Sequence, residues 1–536
     1  MPRPRAEEDI DLMSQSGFMF GDRRNAALFW VGSILVAIGA GLHLPMFLMA
    51  RDMGYVLAGM PMDNGMLAGM ALILLGVGLA GYGLLPKGLP PRHGPGLLAT
   101  IAPPEDAPLT FAHWRLMAVL SVALVIDIMK PASLGFVTPG MRVEYGVTGA
   151  TVALLPLCAL AGTVAGSFIW GMLADLYGRR ASILLSSVMF VGTTICGAMP
   201  SFWWNLFMCF LMGAAAGGLL PVANALLAET MPTKHRGWSL VLVGGIGAVG
   251  GYFAASALSA LLQPDFGWRI MWFLNLPTGL ILILLSPLLP ESARFLQHMG
   301  RIEEARAVLA RFGAVAATEA DIDEDAGGHA PAPPVGFAAT TAALTLLALT
   351  WGLVNFGLLL WLPGELVAEG RSVALSSALI AKSTLIAAPT ILVVAYIYSI
   401  WSTKWSLLAM IAVTVLGLVT LLLRGSGHFP ILENPILPMA LLIIGAAGVI
   451  AMLLPYTSEN YPVKVRGRAT GWIAGCSKVG GLIAQLLSTL ALVPAIGVAA
   501  ALIAVPAIVA MLLIIRFGHE TRGRDLRELE APVARV

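Results

Sequence analysis

Apolar residues in this chain come in runs of about 20, the length that carries a helix across the hydrocarbon core of a bilayer. Polar stretches separate the runs. The first two cover Asn25–Ala50 and Asn64–Leu85. Six follow near 114–137, 149–170, 181–199, 203–228, 238–262 and 268–289. Six more lie near 338–363, 374–399, 405–423, 436–456, 469–493 and 496–516. The pattern predicts an all-α polytopic membrane protein with 14 spans.

The polar stretches also divide the chain. They predict a tail at 1–24, a two-helix module at 25–86, a linker at 87–112 and a six-helix bundle at 113–289. An inter-bundle loop at 290–336, a second bundle at 337–517 and a tail at 518–536 complete the layout. Within the loop, Glu303, Glu304, Arg306 and Arg311 predict a short surface helix, and Asp321–Asp325 a solvated acidic run. Glu7, Glu8, Asp9 and Asp11 precede the first apolar run, which argues against a cleaved signal.

Composition agrees. The chain is 58% hydrophobic and 12% charged, whereas a soluble domain carries about 25% charged residues. The net charge of +2 marks no nucleic-acid partner. All four cysteines fall inside apolar runs and read as small buried hydrophobes, with no disulfide framework and no metal spacing. No nucleophile, metal site, phosphate-binding loop or ATP-binding motif points to an enzyme, a cofactor or a primary pump.

The positive charges inform by their location. Alternate loops carry Arg179/Arg180, Lys234/Arg236, Arg294/Arg301/Arg306, Lys404, Lys464/Arg466/Arg468 and Arg522/Arg524. The opposite loops carry Arg51, Arg142, Arg269, Arg371 and Arg424, thinly spread. The excess predicts that the first set is cytoplasmic, with both termini on that side of an inner (plasma) membrane.

There is an internal repeat. The pattern E-x-x-P-x-K-x-R-G occurs at Glu229–Gly237 and again at Glu459–Gly467, 230 residues apart. Each copy follows the fourth span of a six-span block. The two bundles therefore read as duplicated halves, and the first two spans lie outside the duplication.

Gly171–Arg180, Gly-Met-Leu-Ala-Asp-Leu-Tyr-Gly-Arg-Arg, resembles the loop between the second and third helices of the major facilitator superfamily, G-x-L-A-D-x-x-G-R-R/K. Residues 290–296, Pro-Glu-Ser-Ala-Arg-Phe-Leu, resemble the segment after the sixth helix of its sugar-porter-type members. Residues 300–309 resemble the helix that follows it, and His519–Arg524 resembles their P-E-T-K/R-G-R/K tail with His in place of Pro. The chain is thereby identified as a member of the branch that holds sugar porters, organic-acid:proton symporters and synaptic-vesicle-glycoprotein-like proteins. The resemblance implies the major facilitator fold, two six-helix bundles related by a pseudo-two-fold axis, here with two additional N-terminal transmembrane helices. It also implies a cytoplasmic latch of Gly171, Asp175, Gly178, Arg179, Arg180, Glu229 and Arg236 that holds the outward-facing state. In the second half Glu459 and Arg466 remain, but the corresponding loop keeps only Lys404, so the second latch reads as weaker.

Substrate class is a separate question. The seventh and fifth core spans lack the glutamines that sugar porters of this branch carry. A sugar needs many hydrogen-bonding partners, because each unpaired hydroxyl in a dry site costs about 1–3 kcal/mol. The inventory is thin: Asn224, Asn275, Asn355 and Gln485. The interior holds charge instead. Asp127 and Lys130 sit at i and i+3, on one helix face, in a stretch similar to D-x-x-E of the organic-acid members. Lys382 and Lys478 fall inside later spans. An ionised Lys at membrane depth is costly and marks a wet, functional cavity. Snorkelling is the competing reading for Lys382, and an intrahelical salt bridge for Asp127–Lys130. In relatives an Arg of the fourth core helix partners the first-helix acid. Cys209 stands there, which makes Lys130 the substitute.

These residues predict a secondary transporter that works by alternating access, with proton-coupled symport of a small organic anion such as an aromatic carboxylate. Asp127 carries the proton. Lys130, Lys478, Lys382, Asn355, Asn224 and Gln485 bind the substrate. Sugar uptake, drug or metabolite export, and a non-transporting membrane sensor are the alternatives. His43, Met46, Met49, Met53, Met60, Met62 and Met66 crowd the outer loop of the first two spans. Such ligands suit Cu(I), but methionine is far commoner as apolar filler, so the pair reads as a packing or oligomerisation module with no metal.

Overall fold

The computed structural model describes residues 23–85, 108–299, 301–313, 337–424, 428–461 and 463–522. The acidic run Asp321–Asp325 and Arg524 lie outside the described residues, as do the side chains of Arg294, Lys464 and Arg466.

The described chain is helical. Its spans are α1 (Arg23–Met53), α2 (Asn64–Leu84), α3 (Phe111–Glu144), α4 (Gly149–Tyr177), α5 (Arg179–Ala198), α6 (Phe202–Thr230), α7 (Lys234–Phe266) and α8 (Ile270–Leu288). After the short helices Ala293–His298 and Ile302–Arg311 come α9 (Ala338–Ala368), α10 (Val373–Ile400), α11 (Thr403–Leu423) and α12 (Ile436–Asn460). The helix α13 (Val463–Thr489) and the span α14 (Ile496–Phe517) end the bundle. Thirteen of these are long and apolar enough to cross a membrane. The fourteenth, α13, is long enough at 27 residues, but Lys478, Gln485 and a run of small residues dilute its apolarity.

Local signals set the helix starts. Asp63, Ser201, Ser372 and Ser402 each accept a hydrogen bond from the backbone N–H three residues on, at the heads of α2, α6, α10 and α11. Inside α3, Pro131 has no N–H to offer the Asp127 carbonyl four residues back. The backbone therefore lacks one hydrogen bond where the acid sits.

Spans α3–α8 form one six-helix half and α9–α14 the other, with α1 and α2 added outside the first. Small residues let neighbouring helices pack closely. A methyl group on Gly251 would stand 2.8 Å from the Val125 carbonyl oxygen, and one on Gly247 2.6 Å from Leu124 Cβ, so α7 lies hard against α3. The pair α1–α2 closes on itself in the same way: Gly32 faces Gly76, and Gly39 faces Gly69. It then rests on α5, where Ile73 meets Gly192.

Candidate functional site

A cavity of about 140 Å³ lies between the halves. From the first half it is lined by Asp127, Thr163, Asn224 and Tyr252, and from the second by Trp351, Asn355, Phe356 and Lys478, among apolar neighbours. Asp127 is buried, and its Oδ1 has no hydrogen-bond partner. The charges of Lys130 and Lys478 both act on it, yet neither forms an ion pair with it within 4 Å.

The predicted residues separate. Asp127, Lys478, Asn224 and Asn355 share the cavity wall. Lys130 is buried one layer behind, in a small annex that shares Pro131, Leu160 and Thr163 with the cavity. Its ammonium lies 2.9 Å from the centroid of the Phe190 ring, a cation–π contact. Lys382 does not reach the cavity. It is exposed on α10, because the helix turns that position outward. Gln485 does not line the cavity either. It is buried, and its amide donates to the Phe356 carbonyl in a π turn of α9, Val354–Leu358. Tyr252 and Trp351 were not anticipated from sequence. The Tyr252 hydroxyl donates to the Leu359 carbonyl at 2.5 Å, and Trp351 Nε1 to the Ala446 carbonyl at 2.8 Å.

The cavity is closed at one end. Gly135 of α3 abuts the Leu360 carbonyl of α9, where an added methyl would stand 2.8 Å away. Further out, Ser259 of α7 and Ser377 of α10 share a 2.8 Å hydrogen bond, and Gln263 donates to Ser259 and to the Phe136 carbonyl. Beyond the seal lies a buried ion pair. Arg269 Nη2 meets Glu144 Oε1 at 2.6 Å, with side chains 0% and 7% exposed. Trp268 and the backbone N–H groups of Leu57 and Ala58 also donate to that carboxylate. Counting loop charges treats Arg269 as a topology marker; the structure makes it the centre of a clamp that ties the α1–α2 loop to the first half.

At the other end lies the Arg179 cluster. Arg179 pairs with Asp175 at 3.1 Å and with Glu229 at 3.4 Å, all within the first half. Glu291 accepts the backbone N–H groups of Arg179, Arg180 and Ser292, so it caps the head of α5. Ser292 in turn donates to Glu229. Gly178 sits at φ +103°, and a side chain there would strike the Glu291 carboxylate. Gly171 faces open space. Arg236 lies in the first turn of α7. Burial pushes the Glu291 carboxyl above its usual range, against the hydrogen bonds it accepts.

The second half repeats this arrangement with different chemistry, and Lys404 is not its centre. Glu520 of the His519–Arg524 segment accepts from Ser402 and from the N–H and hydroxyl of Thr403, capping α11 as Glu291 caps α5. Burial alone would raise its pKa, but these hydrogen bonds hold it down at about 2. Glu459 accepts from Tyr398 and Thr521. Lys404 instead donates to the Ile515 carbonyl at 2.9 Å. Glu459 also reaches across the halves, since a methyl on Gly237 would lie 3.2 Å from its Oε1.

Comparison with known proteins places this architecture. The niacin transporter NiaP of Acinetobacter baylyi is 25% identical over 442 residues, spanning 79% of this chain and 98% of that protein. The benzoate transport protein of the same organism is 26% identical over 408 residues, 72% of this chain and 84% of that protein. The xylose transporter XylE from E. coli, in a partially occluded inward-open conformation, superimposes with a TM-score of 0.63 at 14% identity, over 78% of this chain and 100% of that one. The family model of the Major Facilitator Superfamily matches residues 116–485. Two six-helix halves around a shared cavity, with two helices added in front, therefore make this chain a transporter that belongs to the Major Facilitator Superfamily.

Proposed function

We propose that the chain carries a small organic anion, an aromatic or other carboxylate, together with a proton by alternating access across the inner membrane. The observation that carries this reading is Lys478, which faces the cavity from the second half opposite Asp127 in the first. A cation in an otherwise apolar chamber attracts a carboxylate strongly, because little water screens it. Asn224 and Asn355 supply two amides, enough for a carboxylate and too few for the hydroxyls of a sugar. Trp351, Phe356 and Tyr252 offer aromatic walls to a ring. The niacin and benzoate transporters among the relatives agree with this class.

Asp127 is the proton carrier in this account. When ionised, it competes with the substrate for the positive charge of Lys478; when protonated, it releases that charge to the substrate. Residues 113–289 and 337–517 are the two moving halves, and 25–86 is a module carried by the first. The Arg179 and Glu520 clusters mark the cytoplasmic face, so the cavity is sealed on the outside. The latch residues Arg179, Arg180, Glu229, Arg236, Glu459 and Arg466 govern opening of the inner face, and the exposed Asp175 contributes little.

Uptake of labelled benzoate and nicotinate by whole cells tests the reading. Accumulation that collapses with a protonophore is expected, and Asp127→Asn leaves exchange but no accumulation. Uptake of xylose with neither carboxylate taken up would overturn it.

A further inference from the structure

A π turn widens one turn of a helix and leaves a backbone carbonyl without its helical partner. Such a carbonyl, buried, requires a donor from elsewhere. In α9 the π turn Val354–Leu358 sits where the helix lines the cavity, and Asn355 and Phe356 belong to it. The carbonyl of Phe356, inside this turn, accepts from the side-chain amide of Gln485, which is 1% exposed and lies outside the cavity. The two helices are pressed together around this point. A methyl on Gly481 would stand 2.7 Å from the Phe356 side chain, and one on Gly357 2.9 Å from Ala484 Cβ. The same helix carries Lys478 two turns earlier, on the cavity wall.

We propose that Gln485 is a positioning residue for the site: by holding the Phe356 carbonyl it fixes the π turn that presents Asn355 and Phe356 to the substrate beside Lys478. Without that donor the π turn loses the bond that ties it to α13, and α9 returns to a regular helix. Removing the extra residue of the π turn rotates Asn355 and Phe356 by about 100°, one residue's turn at 3.6 residues per turn. The amide then leaves the cavity wall, and the aromatic wall changes shape. Gln485 thus sets which ring fits, without touching it. The inference rests on the cavity being the substrate site, but the position of Asn355 can be read independently of transport.

Two variants bracket the effect. Gln485→Met keeps the length and removes the donor; Gln485→His keeps a ring N–H. In an Asn355→Cys background, the labelling rate by a small water-soluble maleimide reads the exposure of that position, on protein that runs as a single species in size exclusion. Gln485→Met is expected to slow labelling several-fold and, in the otherwise native chain, to shift the ratio of the KM values for benzoate and nicotinate about fivefold, the equivalent of one net hydrogen bond. Gln485→His retains both values. Labelling and KM ratio unchanged in Gln485→Met would overturn the proposal. If neither carboxylate is transported, the labelling rate alone decides it, and the failure then belongs to the substrate assignment.

Discussion

The clamp at Glu144 makes a quantitative prediction. Its Oε1 accepts from Leu57 N–H at 2.8 Å, Ala58 N–H at 3.1 Å and Arg269 Nη2 at 2.6 Å, while Oε2 accepts from Trp268 at 2.7 Å. Glu144→Gln leaves a single carbonyl oxygen for donors on two sides and turns an NH₂ group toward another donor. It also leaves the Arg269 guanidinium buried without its counter-charge, which costs about 3–5 kcal/mol. If the α1–α2 loop bears about 3 kcal/mol of this, its opening becomes roughly a hundredfold more frequent. Hydrogen exchange at the Leu57 and Ala58 amides reads that opening directly. We expect about a hundredfold faster exchange there, with the seam between Gly32 and Gly76 unaffected. Glu144→Gln with Arg269→Gln should recover part of the protection, since no bare charge remains. Unchanged exchange at Leu57 and Ala58 would refute the clamp.

Other expectations follow from the two caps and the helix seams. Lys404→Ala and Asp175→Asn should both have small effects on the conformational equilibrium in a cysteine-accessibility assay, because the bond that Lys404 donates to a carbonyl is exposed and the Asp175 side chain is 75% exposed; Glu520→Gln should shift it clearly. The caps should separate with pH. The depressed carboxyl of Glu520 contributes stability that is complete above the ordinary value of 4.5 and lost as pH falls toward about 2. Burial raises the Glu291 carboxyl in the folded state, so its protonation favours the fold, and intrinsic-rate-corrected exchange should rise with falling pH at Thr403 but not at the Arg179 and Arg180 amides. Within α13, Gly480→Ala should cost about 1–3 kcal/mol of thermal stability, since its methyl would strike the Leu349 carbonyl oxygen. Gly471→Ala and Gly475→Ala, which face open space inside the helix, should not destabilise and should raise stability slightly.

Much of this fold is written in the hydrophobic runs, because a span must be apolar over a fixed length whatever it packs against. The spans, the added front pair and the duplicated Glu229 and Glu459 motifs were legible for that reason. Helix rotation was not. Lys382 and Lys478 both interrupt apolar runs, and lipid-facing and core-facing surfaces are too alike in hydrophobicity to say which one points inward. The place of Gln485 behind the cavity wall is not legible either, because a π turn leaves no sequence signature and the turn holds its partner. Arg269 and Glu144 lie 125 residues apart, so a loop charge and a buried pair look the same. The second cap had a readable signal. Pro290-Glu-Ser and His519-Glu-Thr recur 229 residues apart, nearly the offset of the other repeat, and mark Glu520 as the counterpart of Glu291.

The central claim is that Lys478 provides the charge that selects a carboxylate. Benzoate transport into proteoliposomes, with wild type compared against Lys478→Gln at equal amounts of folded protein, tests it most directly. Loss of one hydrogen bond to a charged group predicts a weakening of apparent affinity by about ten- to a hundredfold, with Lys382→Gln unchanged. Equal apparent affinity in wild type and Lys478→Gln would contradict the account.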